Sequence, residues 1–507
     1  AWQDGIPCIF ISGQNVLLET TYHTKKKIRT FGQQEANIID IVKPITKYAT
    51  MIEKPQDIVF ELNKAIHIAQ EGRKGPVWID IPLDLQSSNI DPLKHIFQKK
   101  NQSQIHDIDY SVSQVENFIS KSERPIMIIG HGIRSSKSIA KVKNFQKKTG
   151  IPVAYSASCP DVFSYSDDIC VGSIGTLACS RSGNFAVQNS DLILIFGNRM
   201  NSIVTGDDCS KFGRAAKKVM IDIDKTEANK SNLKLDYFVE ADISTFLEKL
   251  NSIDFKNDFS FWLAQCKNWK TSLPSLPVDI EPDALVDLYT LSSELNKLLP
   301  DNAVLVTDSG SIELIVPNNF NFCDNRRSIH PSSQGAMGYA LPAAIGSYFA
   351  DKKPTYAIVG DGSIMMNIQE LQTISHFLLP ITIFIVNNNM YSIIRKRQKE
   401  LFRKRKIGVD PETGVSAPSF KKIAETFKFD YKTIKNNKDL FNSQKSDFIV
   451  SKPTIIEVFG LETQQYISTS HAKTSSGKYE MRPIEDQSPF IDRDVFLSNM
   501  IIQPINQ

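Results

Sequence analysis

A chain of 507 residues is too long for one hydrophobic core, so two to four domains are expected. Hydrophobic content of 41% and charged content of 23% are ordinary for a soluble globular protein, and no apolar run reaches the ~18 residues needed to span a bilayer. A formal charge of +3 excludes general polyanion affinity, so neither nucleic acid nor a membrane is expected as a partner.

The first residues, "AWQDGIPCIFISGQ", read as a helix end running into a buried strand, and chains seldom begin inside a core. Short β-rich runs then alternate with helical patterns: "GPVWIDIP", "RPIMIIG", "DLILIFG", "KKVMIDID", "NAVLVTD", "TYAIVGDG", "PITIFIVN" and "PTIIEVF". That alternation predicts α/β domains on three-layer parallel sheets. Polar residues 86–109 and the proline-rich, acidic residues 272–283 read as linkers, which delimits regions 1–95, 110–250 and 280–462, with a tail or lid over 463–507. "STSHAKTSSGK" opens that tail and reads equally as a mobile loop or a functional lid. The seven cysteines are scattered and form no C-x-x-C pair, which fits a reducing, cytoplasmic setting and no zinc site. His131, His330, His376 and His471 have no metal-binding spacing.

"YAIVGDGSIMMNIQEL" and the following "ITIFIVNNNMYSII" raise the sharpest question. "TYAIV" and "ITIFIV" read as buried strands, joined by an amphipathic helix carrying Ile364, Ile368, Leu371 and Ile374. Such a βαβ unit puts both strand ends at one sheet edge, where ligands of open α/β sheets bind. Asp361 and Asn388 stand 27 positions apart, yet the crossover brings them within reach of one ion. A carboxylate, an amide oxygen and a backbone carbonyl are hard ligands that suit Mg²⁺. Gly360 and Gly362 admit a close diphosphate, and Gly362-Ser363 offers N–H groups at the start of a helix. Read alone, the same glycines and asparagines also fit ordinary turns.

G-D-G followed by Asn-Asn at this spacing resembles the motif of thiamine diphosphate-dependent enzymes. The surrounding text is similar to the acetolactate synthase catalytic (large) subunit and its relatives. "SGQ", "QQEANIIDIVKPITKYA", "GRKGPVWIDIPLDLQ", "NFAVQNSDLILIFGNR", "IDIDKTEANK", "GAMGYALPAAIGS" and "GDGSIMMNIQELQT" fall in the family's order. The resemblance implies a partial pyrimidine-binding domain (1–95), a central nucleotide-binding-like domain (110–250) and a diphosphate-binding domain (280–462). It also implies thiamine diphosphate and Mg²⁺ as cofactors, with Asp361, Asn388 and the Met390 carbonyl on the metal. Gly335, Gly360, Gly362, Ser363 and Tyr391 would line the cofactor, and Met337 matches the large apolar residue that props it into a bent shape. Without the resemblance, Met337 reads as a core methionine.

The expected activity is a decarboxylating carboligase of the transferase class, adding a two-carbon unit from pyruvate or a similar 2-keto acid to a carbonyl acceptor. A simple 2-keto acid decarboxylase or oxidase uses the same cofactor. A pseudoenzyme or truncated partner subunit is a second class, because the family's activating Glu would precede residue 1. A plain dinucleotide oxidoreductase is a weak third, since no G-x-G-x-x-G opens a helix. Gln34 and Lys47 match a polar pair near the substrate entrance, Lys47 also reading as a surface lysine. In the central domain the resemblance implies FAD, with Arg181, Asn184, Gly197, Asp222, Asp224 and Asp242 on matching stretches, although the family's G-M-H-G is here "GTLA" (175–178).

Two departures concern the acceptor. Ser202 and Ile203 stand where the family has an Asp-Arg pair that holds the acceptor's carboxylate, and Arg397 stands near the place of a selective Trp. With Ile394 beside it, Arg397 is a candidate substrate residue. A larger, phosphorylated acceptor such as a nucleotide-linked keto sugar is expected, with Arg395, Arg397, Arg403 and Arg405 near its phosphates; a solvated basic helix face is the alternative. The resemblance further implies a homodimer or homotetramer and leaves a regulatory subunit open.

Overall fold

A computed structural model describes residues 1–94, 97–98, 107–230, 233–274, 276, 279–323, 325–402, 405–473 and 479–505. The chain forms two compact units, Ala1–His106 and Asp107–Gln507.

The first unit holds three parallel strands, β1 (Ile9–Gln14), β2 (Tyr48–Met51) and β3 (Val77–Pro82), in the order β1-β3-β2. Ala65 and Ala69 of the helix Ile58–Gln70 pack with Ile52, Val77 and Ile79 in its small core. The buried strand expected at "PCIFIS" is corrected: among the described residues β1 pairs with β3 alone, and Phe10 and Ile11 are 39% and 61% exposed.

The second unit carries two six-stranded parallel sheets. The first contains β4 (Pro125–Ile129), β5 (Val153–Tyr155), β6 (Cys170–Ser173), β7 (Leu192–Phe196), β8 (Lys217–Asp222) and β9 (Tyr237–Glu240), in the order β6-β5-β4-β7-β8-β9. The other contains β10 (Val304–Thr307), β11 (Arg327–Ile329), β12 (Thr355–Gly360), β13 (Ile381–Asn387), β14 (Asp430–Ile434) and β15 (Thr454–Phe459), in the order β11-β10-β12-β13-β15-β14. β4, β7 and most of β12 and β13 are buried along their length, so helices cover both faces and the strands read as continuous apolar runs. In the β10–β15 sheet the strand order reverses between β10 and β12, which opens a crevice at their carboxyl ends.

The described part of the C-terminal segment straps onto the β4–β9 sheet. Ile484, Ile491 and Phe496 join the core of the β4–β9 sheet, and the Phe496 ring meets Phe185 edge-on at 5.6 Å. Buried Glu485 pairs with Arg214 at 2.7 Å and accepts from Gln188 Nε2 at 2.7 Å. Within "STSHAKTSSGK", residues 474–478 lie outside the described residues. Among the described residues no helix is long and apolar enough to cross a membrane.

Candidate active site

Three neighbouring strands deliver polar residues to one sheet edge. β10 runs into Asp308, β12 into Asp361, and β13 ends at Asn387. Gly360 pairs with Val386, so Asp361 falls beside the asparagine run, as a βαβ unit requires. Its carboxylate accepts from the Gly362 N–H at 2.7 Å and the Asn389 N–H at 2.5 Å, and the Asn388 and Met390 N–H groups also turn toward it. Burial outweighs these donors and holds the Asp361 carboxyl up at about 6. A buried carboxylate so raised is one that a divalent cation would relieve.

The three asparagines have separate tasks. Asn387 Nδ2 donates to Glu457 Oε1 at 2.6 Å, while Asn387 Oδ1 accepts from the Asn389 N–H at 3.1 Å. Tyr431 donates its hydroxyl to the other Glu457 oxygen, so this buried glutamate on β15 anchors the loop from behind. Asn389 turns the chain at a φ of 57°, a left-handed conformation that asparagine tolerates, and its Oδ1 accepts from the Ala417 N–H at 2.7 Å. Between them Asn388 is half-buried, next to the Asp361 carboxylate, and Met390 is buried. The set of one carboxylate, one side-chain amide and one carbonyl fits Mg²⁺ with a bound diphosphate.

The single helix expected after G-D-G is corrected to two short ones, Asp361–Ile364 and Glu370–His376. The i+3 turns Met366 N–H to Ser363 O and Asn367 N–H to Ile364 O tighten the chain between them. Asn367 also spends its amide on the Gly338 carbonyl at 2.9 Å. Ile364, Leu371 and Ile374 still face the core as the sequence pattern requires. Gly362 is required for space, since a Cβ there would lie 2.1 Å from Cε1 of Tyr391. Gly360 meets no such neighbour. Gly335 turns at a φ of 57° with its Cβ direction facing Glu313. Met337 follows on the same loop and is 39% exposed, so it is no core methionine.

Residues 308–458 match the family described as thiamine pyrophosphate enzyme, C-terminal TPP binding domain, and residues 112–250 match thiamine pyrophosphate enzyme, central domain. The chain belongs to the thiamine pyrophosphate enzymes. It is 30% identical over 414 residues to acetolactate synthase 1, chloroplastic, of Nicotiana tabacum, covering 79% of this chain and 59% of that protein. It is 29% identical over 469 residues to the acetolactate synthase large subunit of Cyanidium caldarium, covering 89% and 77%. A probable acetolactate synthase large subunit of Methanocaldococcus jannaschii is 28% identical over 475 residues, covering 90% and 77%. The chain thus spans about three fifths of the length of the tobacco relative it matches.

Within this thiamine pyrophosphate enzyme, the remaining sequence-derived residues are scattered. Asn15 Nδ2 donates to the Gln33 carbonyl at 2.7 Å, so exposed Gln34 stands by the carboxyl end of β1. Lys47 precedes β2 at the opposite end of that sheet and donates its ammonium to the Glu71 carbonyl. Within this unit the two residues thus lie toward opposite ends of the strands. Arg181 donates to the carbonyls of Pro274, Gln487 and Pro489, and Asn184 Nδ2 donates to the carbonyls of Gly175 and Ile484. Both hold the strap and neighbouring backbone. Gly197 permits the close approach of Gly132, whose Cα would lie 2.6 Å from a Cβ at Gly197. Asp222 accepts from the Asp224 N–H, while Asp224 caps the short turn Lys225–Asn229 and Asp242 the helix Ile243–Leu250.

On the helix Ser392–Leu401, Ile394 is exposed, and among the described residues Arg397 makes a long ion pair to Glu400 at 3.9 Å. Arg395 is taken up by buried Asp410 at 3.1 Å, which removes it from the expected phosphate cluster. Arg405 is exposed, and Arg403 falls outside the described residues. Ser202 and Ile203 open the helical turn Ser202–Thr205. Sequence reasoning missed Asp308 and Glu457. The available signals were a buried strand run ending on a carboxylate, "NAVLVTD", and a charged residue inside the apolar "PTIIEVF".

Proposed function

We propose that the protein is a Mg²⁺- and thiamine diphosphate-dependent carboligase, joining a two-carbon unit from pyruvate or a similar 2-keto acid to a carbonyl acceptor. The observation that carries this reading is Asp361, buried at the end of β12 with its carboxylate accepting from the backbone of the 388–390 loop. Asp361, Asn388 and the Met390 carbonyl would hold the cation, and the cation the diphosphate. The cofactor, when bound, supplies an electron sink for decarboxylation. Ser363 at the helix start would contact the diphosphate, and Met337 would support the cofactor's rings.

The acceptor we propose is larger than a simple keto acid and carries phosphate, as in a nucleotide-linked keto sugar. Support comes from Ser202 and Ile203, which offer no cation for an acceptor carboxylate, and from Arg397 with exposed Ile394 on the helix that follows Met390. A homodimer is part of the proposal, favoured by Met337, Met365 and Met366, apolar residues that are 39%, 41% and 50% exposed beside the site. Seven unpaired cysteines fit a reducing, cytoplasmic setting.

The test is product analysis after incubation with pyruvate, thiamine diphosphate, Mg²⁺ and a panel of acceptors. A pyruvate-dependent adduct with a nucleotide-linked keto sugar is expected. Acetolactate formed with no response to keto sugars overturns the acceptor assignment, and absence of carbon dioxide release with every donor overturns the enzyme.

A further inference from the structure

We propose that Asp308 is a positioning residue that aims the Met337 loop at the cofactor site, an inference that rests on the functional reading above. Asp308 is fully buried where β10 meets the crevice, and its own N–H donates to the Ile358 carbonyl of β12 at 2.9 Å. The residue is thereby tied to the strand that carries Asp361. Both carboxylate oxygens are in use: Oδ1 accepts from the N–H groups of Ser309 at 2.8 Å and Gly338 at 3.0 Å, and Oδ2 from Ala340 at 2.8 Å.

Capping of the helix Ala340–Asp351 explains only the bond to Ala340. The bond to Gly338 reaches two residues earlier, to the neighbour of Met337. Gly338 stands at a φ of 82°, and its carbonyl is held in turn by Asn367 Nδ2 at 2.9 Å. Met337 has no comparable restraint from burial, being 39% exposed. Its direction is set by the backbone, and the backbone is clamped from one side by Asp308 and from the other by Asn367. Any group that must meet a reacting centre closely is sensitive to such a clamp, since a shift of about 1 Å costs roughly 100-fold in rate.

The experiment compares Asp308→Asn, Met337→Ala and the double variant. Asparagine keeps the size but sets an NH₂ group against backbone N–H donors. Cofactor affinity is measured by calorimetry with Mg²⁺, turnover by carbon dioxide release, and loop order by amide hydrogen exchange. Asp308→Asn is expected to bind the cofactor within about threefold of wild type, to lose about 100-fold in kcat, and to exchange faster at Gly338. In the Met337→Ala background the same substitution should cost less than about threefold in kcat. Equal losses in both backgrounds, or an unchanged kcat, overturn the inference. Should Asp308→Asn fail to fold, wild-type exchange decides: slow amides at Gly338 and Ala340 are expected, and exchange at the rate of the neighbouring loop overturns it. Wild-type protein that ignores thiamine diphosphate instead overturns the functional reading, so the two failures are distinct.

Discussion

Gly362→Ala perturbs the site by a single methyl group. The Gly362 backbone lies outside the left-handed region, so the glycine is there for space alone. A Cβ would stand 2.1 Å from the Tyr391 ring, and ordinary contact begins at 3.4 Å, so the ring must retreat by about 1.3 Å. Tyr391 is not free to follow as a unit, because its N–H is held by the Val409 carbonyl at 2.9 Å. Overpacking of this kind costs about 1–3 kcal/mol, and the displaced Met390 carbonyl would weaken the proposed metal site by about 10–100-fold. Thermal unfolding and calorimetric titration of Mg²⁺ with thiamine diphosphate measure the two effects. In a Tyr391→Ala background the methyl group meets no ring, and its stability cost should fall below about 0.5 kcal/mol. An equal cost in both backgrounds would refute the steric argument.

Asp361 gives a pH prediction. Between its ordinary 3.8 and about 6 the folded chain keeps a proton that the unfolded chain has released, so metal-free stability falls as pH rises through that window. The loss is about 3 kcal/mol, and Mg²⁺ should raise the melting temperature more at about pH 8 than at about pH 5; equal shifts contradict this. Arg214→Met strands buried Glu485 without its cation and should cost about 3–5 kcal/mol, with early proteolysis of the strap. Arg397→Ala removes only an exposed 3.9 Å ion pair, so stability should stay within about 0.5 kcal/mol while KM for a phosphorylated acceptor rises and KM for pyruvate does not.

The parallel sheets and the loop beside Asp361 were legible because both are written locally. "TYAIV" and "ITIFIV" are continuous apolar runs that only a doubly covered sheet can hold, and G-D-G and the asparagines close those same two strands. The clamps behind the loop were not legible, because they pair residues distant in sequence. Glu457 meets Asn387 across 70 positions, and Asp308 meets Gly338 across 30. Nothing in either neighbourhood names its partner. The strap escaped for the same reason: Arg181 reaches Gln487 across 306 positions.

The most direct test of the account is calorimetric titration of thiamine diphosphate into the whole chain, with and without Mg²⁺, beside Asp361→Ala and Asn388→Ala variants shown to be folded. Binding that needs the cation and is lost in both variants is the predicted result. Binding of equal strength in the presence of a chelator, or undiminished in either variant, would contradict it.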